Sequence, residues 1–140
     1  MKISIGCDHG GFEMKEMIVS FLQSLGHEID DQGTDSNASV NYPDYAKKVC
    51  AAVEGGQAGR GILICGTGIG MSMVANRSPA IRAALCHESF TARMSREHND
   101  ANVLCLGARV IGPGLAQEIV RIWVSTDFAG GRHQNRIDMF

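Results

Sequence analysis

Nowhere does the chain approach the roughly 18 to 20 consecutive apolar residues that a membrane span needs. No secretory leader is expected: Met1 and Lys2 run straight into Ile3 and Ile5, with no longer apolar stretch and no small-residue cleavage site. Charge of one sign is missing too. Thirteen Lys and Arg stand against 15 Asp and Glu, which excludes a global basic field for nucleic acid or an anionic membrane, so any basic function must be local. There is no Cys-x-x-Cys pair and no His pair at zinc-finger spacing, hence no expected metal site. The five cysteines, Cys7, Cys50, Cys65, Cys86 and Cys105, are odd in number and read as reduced thiols of a cytoplasmic protein. In that compartment the glycosylation patterns at Asn37 and Asn76 carry no weight. Repeats and low-complexity tracts are absent. What is present is a 140-residue chain, 44% hydrophobic, enough for one core and one domain spanning residues 1–140.

Short apolar runs alternate with longer amphipathic ones. Lys2 to Cys7 reads as a strand that ends in the loop Gly6-Cys7-Asp8-His9-Gly10-Gly11. A helix follows, because Phe12, Met14, Met17, Ile18, Phe21, Leu22 and Leu25 recur at three- and four-residue spacing before Gly26. His27 to Asp31 is a weakly apolar strand suited to an edge, and Pro43 opens a second helix that runs to about Val53. Gly61 to Cys65 is the clearest strand, apolar at consecutive positions as a central strand covered on both faces should be. Beyond it come a short helix to about Asn76, a strand over Ile81–Cys86, a helix near Glu88–Glu97, a strand over Val103–Leu106 and a helix over about Gly114–Val124. Such alternation predicts an α/β, doubly wound parallel sheet whose ligands bind beyond the carboxyl ends of its strands. Asp8-His9, Cys65 to Gly70 and the His98-Asn99 region are expected to converge there.

Cys65-Gly66-Thr67-Gly68-Ile69-Gly70 fits both a tight strand-to-helix turn and a loop whose amides face an anion. Counting excludes three enzyme classes. A nucleotide P-loop needs Lys and Ser or Thr where Met71-Ser72 stands. The dinucleotide fingerprint needs glycine where Met71 or Met73 falls, and a tyrosine-phosphatase loop needs Arg at Met71. Most free cysteines are small buried hydrophobes, and four of the five read that way. Cys65 differs by its place beside the glycine loop, where N–H dipoles favour a thiolate able to accept a proton. His9 and His98 suit proton shuttling, although His27, His87 and His133 show that loop histidines are common in this chain. Arg132 and Arg136, four apart, would share one face of a helix and grip a phosphate; otherwise they are solvated terminal charges.

Gly6-Cys7-Asp8-His9-Gly10-Gly11, Asn41-Tyr42-Pro43-Asp44, Cys65 to Gly70, Arg96-Glu97-His98-Asn99-Asp100-Ala101-Asn102 and Gly131-Arg132-His133, taken in that order, closely resemble type B ribose-5-phosphate isomerases from end to end. The chain departs from that pattern in stopping at Phe140, somewhat before the terminal helix of its relatives would be complete. The resemblance implies a three-layer α/β/α sandwich around a five-stranded parallel, Rossmann-like sheet. It implies an aldose–ketose isomerase without metal or cofactor, acting on a small sugar phosphate. Cys65 would be the base, Thr67 would pass a proton between two oxygens, and His98 would open the furanose ring. Asp8, His9, Tyr42 and Asn99 would surround the sugar, and the amides of Gly66, Gly68, Ile69 and Gly70 would meet the enediolate. Arg109, Arg132 and Arg136 would join His9 at the phosphate. The site would span the interface of a homodimer or homotetramer. Two other readings stay open at this point: an isomerase of allose 6-phosphate or galactose 6-phosphate, and a non-catalytic sensor that merely holds a phosphosugar.

Overall fold

The computed structural model describes residues 1–140. Five strands, β1 (Lys2–Cys7), β2 (Glu28–Asp31), β3 (Arg60–Cys65), β4 (Ala83–Leu85) and β5 (Val103–Gly107), form one parallel sheet in the order β2-β1-β3-β5-β4. Six helices connect or follow them: α1 (Phe12–Ser24), α2 (Tyr42–Glu54), α3 (Ile69–Ala75), α4 (Ser89–Glu97), α5 (Pro113–Ser125) and α6 (Arg132–Ile137). As the sequence pattern predicts, β3 is central and β2 lies at an edge.

Alternation along the strands sorts the side chains into two apolar layers. Ile62 and Ile64 of β3 join Ile3, Ile5, Leu104, Leu106, Ile18, Leu22 and Trp123 on the face covered by α1 and α5. Leu63 and Cys65 point the other way, among Val49, Met71, Val103 and Cys105 beneath α2 and α3. Gly61 lets α2 come close, since a Cβ there would lie 2.8 Å from Val49 Cγ1. Removing such side chains from water is the main stabilising term of a sheet covered on both faces.

Chain direction decides where the functional loops fall. From β1 the chain moves outward to β2, whereas from β3 it moves the opposite way, so the switch point is the crevice between the carboxyl ends of β1 and β3. There the Asp8 amide donates to the Ile64 carbonyl at 3.2 Å. Helix α4, linking two parallel strands, runs back against them and delivers His98 to the amino-terminal end of the sheet. Asn102 confirms that placement by accepting from the Gly61 amide at 2.9 Å, beside the start of β3.

Two local expectations are corrected. The strand expected over Ile81–Cys86 is only Ala83–Leu85, because Ile81 N–H turns back to the Ser78 carbonyl and Arg82 N–H donates to the Asn102 side chain at 2.8 Å. Past α5 the chain forms α6, which makes the arginine pair helical.

Candidate active site

Strand β1 presents Asp8, nearly buried, whose Oδ1 accepts from Gly10 N–H at 2.9 Å and closes the turn that carries His9. Gly11 permits this turn to sit on β3; a Cβ there would lie 2.7 Å from the Ile64 carbonyl oxygen. The Val40 amide donates to His9 Nδ1 at 3.2 Å, so the neutral ring carries its hydrogen on Nε2.

Strand β3 presents Cys65, 5% exposed, and Sγ accepts from Gly68 N–H at 3.1 Å. That contact depends on Gly68 adopting φ +76°, in a space where a Cβ would meet Leu85 Cδ1 at 2.5 Å and the Leu106 carbonyl carbon at 2.9 Å. The loop is pinned from β5 as well: Ala108 N–H donates to the Cys65 carbonyl at 2.8 Å and Arg109 N–H to Gly66 at 3.0 Å. Thr67 is exposed, and its Oγ1 accepts from Ile69 N–H at 3.3 Å. Arg109 lies over Gly66 and beside Gly10, each within 3.6 Å of where a Cβ would stand, and the Tyr42 ring packs on Gly70.

Burial pushes Cys7 up to about 12, and its Sγ lies 4.0 Å from the Thr34 carbonyl as a donor. Burial likewise raises Cys50 to about 11, raises Cys86, and raises Cys105 strongly. All four are held as thiols; Cys65 sulfur is the one that takes an N–H hydrogen bond.

Asp8, His9, Tyr42, Cys65, Gly66, Thr67, Gly68, Ile69, Gly70 and Arg109 therefore meet at one crevice. His98, Asn99, Arg132 and Arg136 do not. They lie near the opposite end of the sheet, separated from Cys65 by the length of β3 from Gly61, about 13 Å at the usual strand rise. Convergence of His98-Asn99 on the mouth within one chain is thus corrected, and the reason is the reversed direction of α4. The four form a second cluster: the His98 and His133 rings stack at 4.1 Å with an 11° interplanar angle, and Arg132 and Arg136 share one face of α6. Burial, then the neighbouring His98, Arg132 and Arg136, lower the His133 pKa.

Three residues escape sequence reasoning. Arg96 and Asp100 are buried or half-buried partners behind His98, visible only once burial is known. His87, in sequence one loop histidine among several, has Nε2 buried without a partner, close to Gly107 and the Thr67 peptide.

The chain is similar to known proteins over nearly its whole length. The profile of the Ribose/Galactose Isomerase family matches residues 3–140. Ribose-5-phosphate isomerase B of Escherichia coli is 50% identical over 137 residues, covering 98% of this chain and 92% of that protein. D-erythrulose-4-phosphate isomerase of Pectobacterium atrosepticum is 42% identical over 139 residues, with 99% and 91% covered. The solved structure of ribose-5-phosphate isomerase B from Clostridium thermocellum superposes with a TM-score of 0.98 at 55% identity, covering 99% of this chain and 94% of that one. On these matches the chain belongs to the ribose/galactose isomerase family.

Proposed function

We propose that the protein interconverts ribose 5-phosphate and ribulose 5-phosphate, with Cys65 as the base. The observation that carries the assignment is the Cys65 sulfur at the switch-point crevice, accepting the Gly68 amide of the glycine loop. In the aldose direction the Cys65 thiolate takes the C2 proton of the open-chain sugar. The electron pair moves into the C1–C2 bond and the carbonyl electrons move to O1, giving an enediolate. The amides of Gly66 and Gly70 offset that charge where it forms, and those of Gly68 and Ile69, bonded to Cys65 Sγ and Thr67 Oγ1, share in it as the sulfur takes up the proton and Thr67 turns to the substrate; one such donor is typically worth about 3 kcal/mol. Thr67 Oγ1 passes a proton between O2 and O1, and the Cys65 thiol returns its proton to C1. Electrons move only within the substrate, so no external electron carrier enters the balance.

The remaining groups come from a second copy of the chain. His98 of that copy takes the proton of the C1 hydroxyl and delivers one to the ring oxygen, opening the furanose. Its Asn99 contacts the sugar. Its Arg132 and Arg136 join Arg109 and His9 at the phosphate, converting remote binding energy into alignment of C2 with sulfur. A homodimer, alone or paired into a homotetramer, is supported by the apolar surface beside the crevice: Tyr42, Ile69, Met73 and Leu85 are 38%, 46%, 66% and 37% exposed. A cytoplasmic location fits the five unpaired thiols. No helix is long and apolar enough to cross a membrane.

Substrate length is tested directly, because relatives in this family carry names of different sugar phosphates. Turnover of ribose 5-phosphate, erythrulose 4-phosphate and allose 6-phosphate by the purified protein should favour the five-carbon sugar. The Cys65→Ala variant should lose about 10³-fold in kcat, within the usual range for a general base, and still bind substrate. Full turnover by that variant would refute Cys65 as the base.

A further inference from the structure

The loop after α4 and the segment leading into helix α6, which carry the distant cluster, are far apart in sequence yet meet at one buried side chain. Arg96 is 5% exposed. Its Nη1 donates to the Ala101 carbonyl at 2.6 Å and pairs with Asp100 Oδ1 at 2.8 Å, and its Nε donates to the Thr126 carbonyl at 3.3 Å. The first two contacts hold the turn that follows His98 and Asn99. The third holds the segment leading into α6, which is tied a second time by Ala129 N–H donating to the Glu97 carbonyl at 3.0 Å.

Asp100 completes the fork from the other side. Its second carboxylate oxygen pairs with Arg82 at 2.9 Å, while Arg82 Nε reaches the Asn99 and Asp100 carbonyls at 3.0 and 3.1 Å. Asp100 sits at φ +45°, the left-handed residue that ends the helix, where Ala101 N–H returns to the Ser95 carbonyl at 2.8 Å.

Capping of α5 does not account for Arg96. Arg60 already donates to the Trp123, Val124 and Thr126 carbonyls at 2.7, 3.1 and 3.2 Å. Both guanidinium groups lie over the Trp123 ring, 5.4 and 5.8 Å from its centroid, and the crowding has a cost: burial and then the Arg96 charge lower Arg60 to about 10. What Arg96 adds, and Arg60 lacks, is contact with the turn behind His98.

We propose that Arg96 is a positioning residue that locks the His98 turn and the arginine-bearing helix α6 into one unit, so that the ring-opening and phosphate-binding groups reach the partner's crevice in fixed register. This rests on the roles given above to His98 and α6, and the test separates the two. Ribose 5-phosphate must be opened from a ring, whereas ribulose 5-phosphate has its C5 oxygen phosphorylated and no furanose to open. Loss of His98 alignment therefore lowers kcat from the aldose side more than from the ketose side, and loss of α6 alignment raises KM from both.

The experiment measures steady-state turnover in both directions for wild type, Arg96→Lys, Asp100→Asn and His98→Asn, with circular dichroism and sedimentation to follow fold and assembly. Arg96→Lys keeps the charge but not the planar fork. Its kcat should drop on the order of tenfold more from the aldose than from the ketose, with KM raised correspondingly more for the ketose, because the equilibrium constant fixes the ratio of kcat/KM in the two directions. Asp100→Asn should give the same imbalance at smaller size, and it carries the test if Arg96→Lys fails to fold. Equal losses in the two directions for both variants, while His98→Asn shows the imbalance, would overturn the positioning role alone. No imbalance in His98→Asn itself would overturn the ring-opening assignment and this inference with it.

Discussion

At the crevice between β1 and β3 the working groups are backbone amides and short side chains: the Cys65 sulfur is nearly buried, its partner is the Gly68 amide, and the loop is bonded into β5 at two carbonyls. At the other end of the sheet they are long side chains on a turn and a six-residue helix, with His98, Asn99, Arg132 and Arg136 all exposed and only the groups behind them buried. Those bonds hold the first region in place, which the proposed oxyanion site requires because its dipoles must not reorganise as charge develops. Flexible cations in the second suit the holding of a phosphate that does not react. Damage to the first should appear in kcat and damage to the second mainly in KM.

The sharpest way to break that contrast is at Gly68. Alanine there would have to keep φ +76° with its Cβ 2.5 Å from Leu85 Cδ1, so the loop must shift. We expect kcat to fall on the order of 10²-fold, with a lowered thermal midpoint, read by steady-state kinetics and calorimetry. Arg136→Ala should do the reverse: KM for the sugar phosphate up about tenfold, one charge-assisted hydrogen bond's worth, with kcat little changed. A fall in kcat alone would break the division between the regions.

The smallest effect concerns pH. Burial and the neighbouring cations hold His133 below its ordinary 6.5, so its neutral form is the one the fold favours. Stability from this group is present above 6.5 and lost as pH falls through the lower folded value, where the unfolded chain binds the proton more readily. The thermal midpoint should therefore decline on acidification below 6.5, and His133→Gln should lose part of that decline. Only part is expected, since burial also lowers His27 and adds a term of the same sign. An unchanged profile would show that His133 does not titrate with folding.

The two regions were also unequally legible in the sequence. Local signals mark the crevice: the consecutive apolar residues of β3, then a cysteine, then glycines at Gly66, Gly68 and Gly70, each a position where another chain segment presses on the α-carbon. Strand order follows from alternation and crossover handedness, which placed β3 in the middle and β2 at the edge. The distant cluster carries no comparable mark. A motif such as His98-Asn99 states residue types but not the end of the sheet at which a returning helix leaves them. Burial of Arg96 beside Trp123 depends on α5 packing over the sheet, a tertiary fact that one-dimensional periodicity does not encode. Shortening of β4 has the same origin, since Asn102 captures the Arg82 amide from a different strand's approach.

In the two-chain site proposed above, one chain holds half of the working residues. Mixing Cys65→Ala with His98→Asn protein, each inactive toward ribose 5-phosphate alone, and allowing subunits to exchange tests it most directly. Hybrid dimers would then contain one crevice lacking both groups and one that is fully wild type. At equal mixing with random exchange, activity should rise to about a quarter of the wild-type value. If exchanged mixtures stay as inactive as their parents, each chain must supply its own His98, and the two-chain site is wrong.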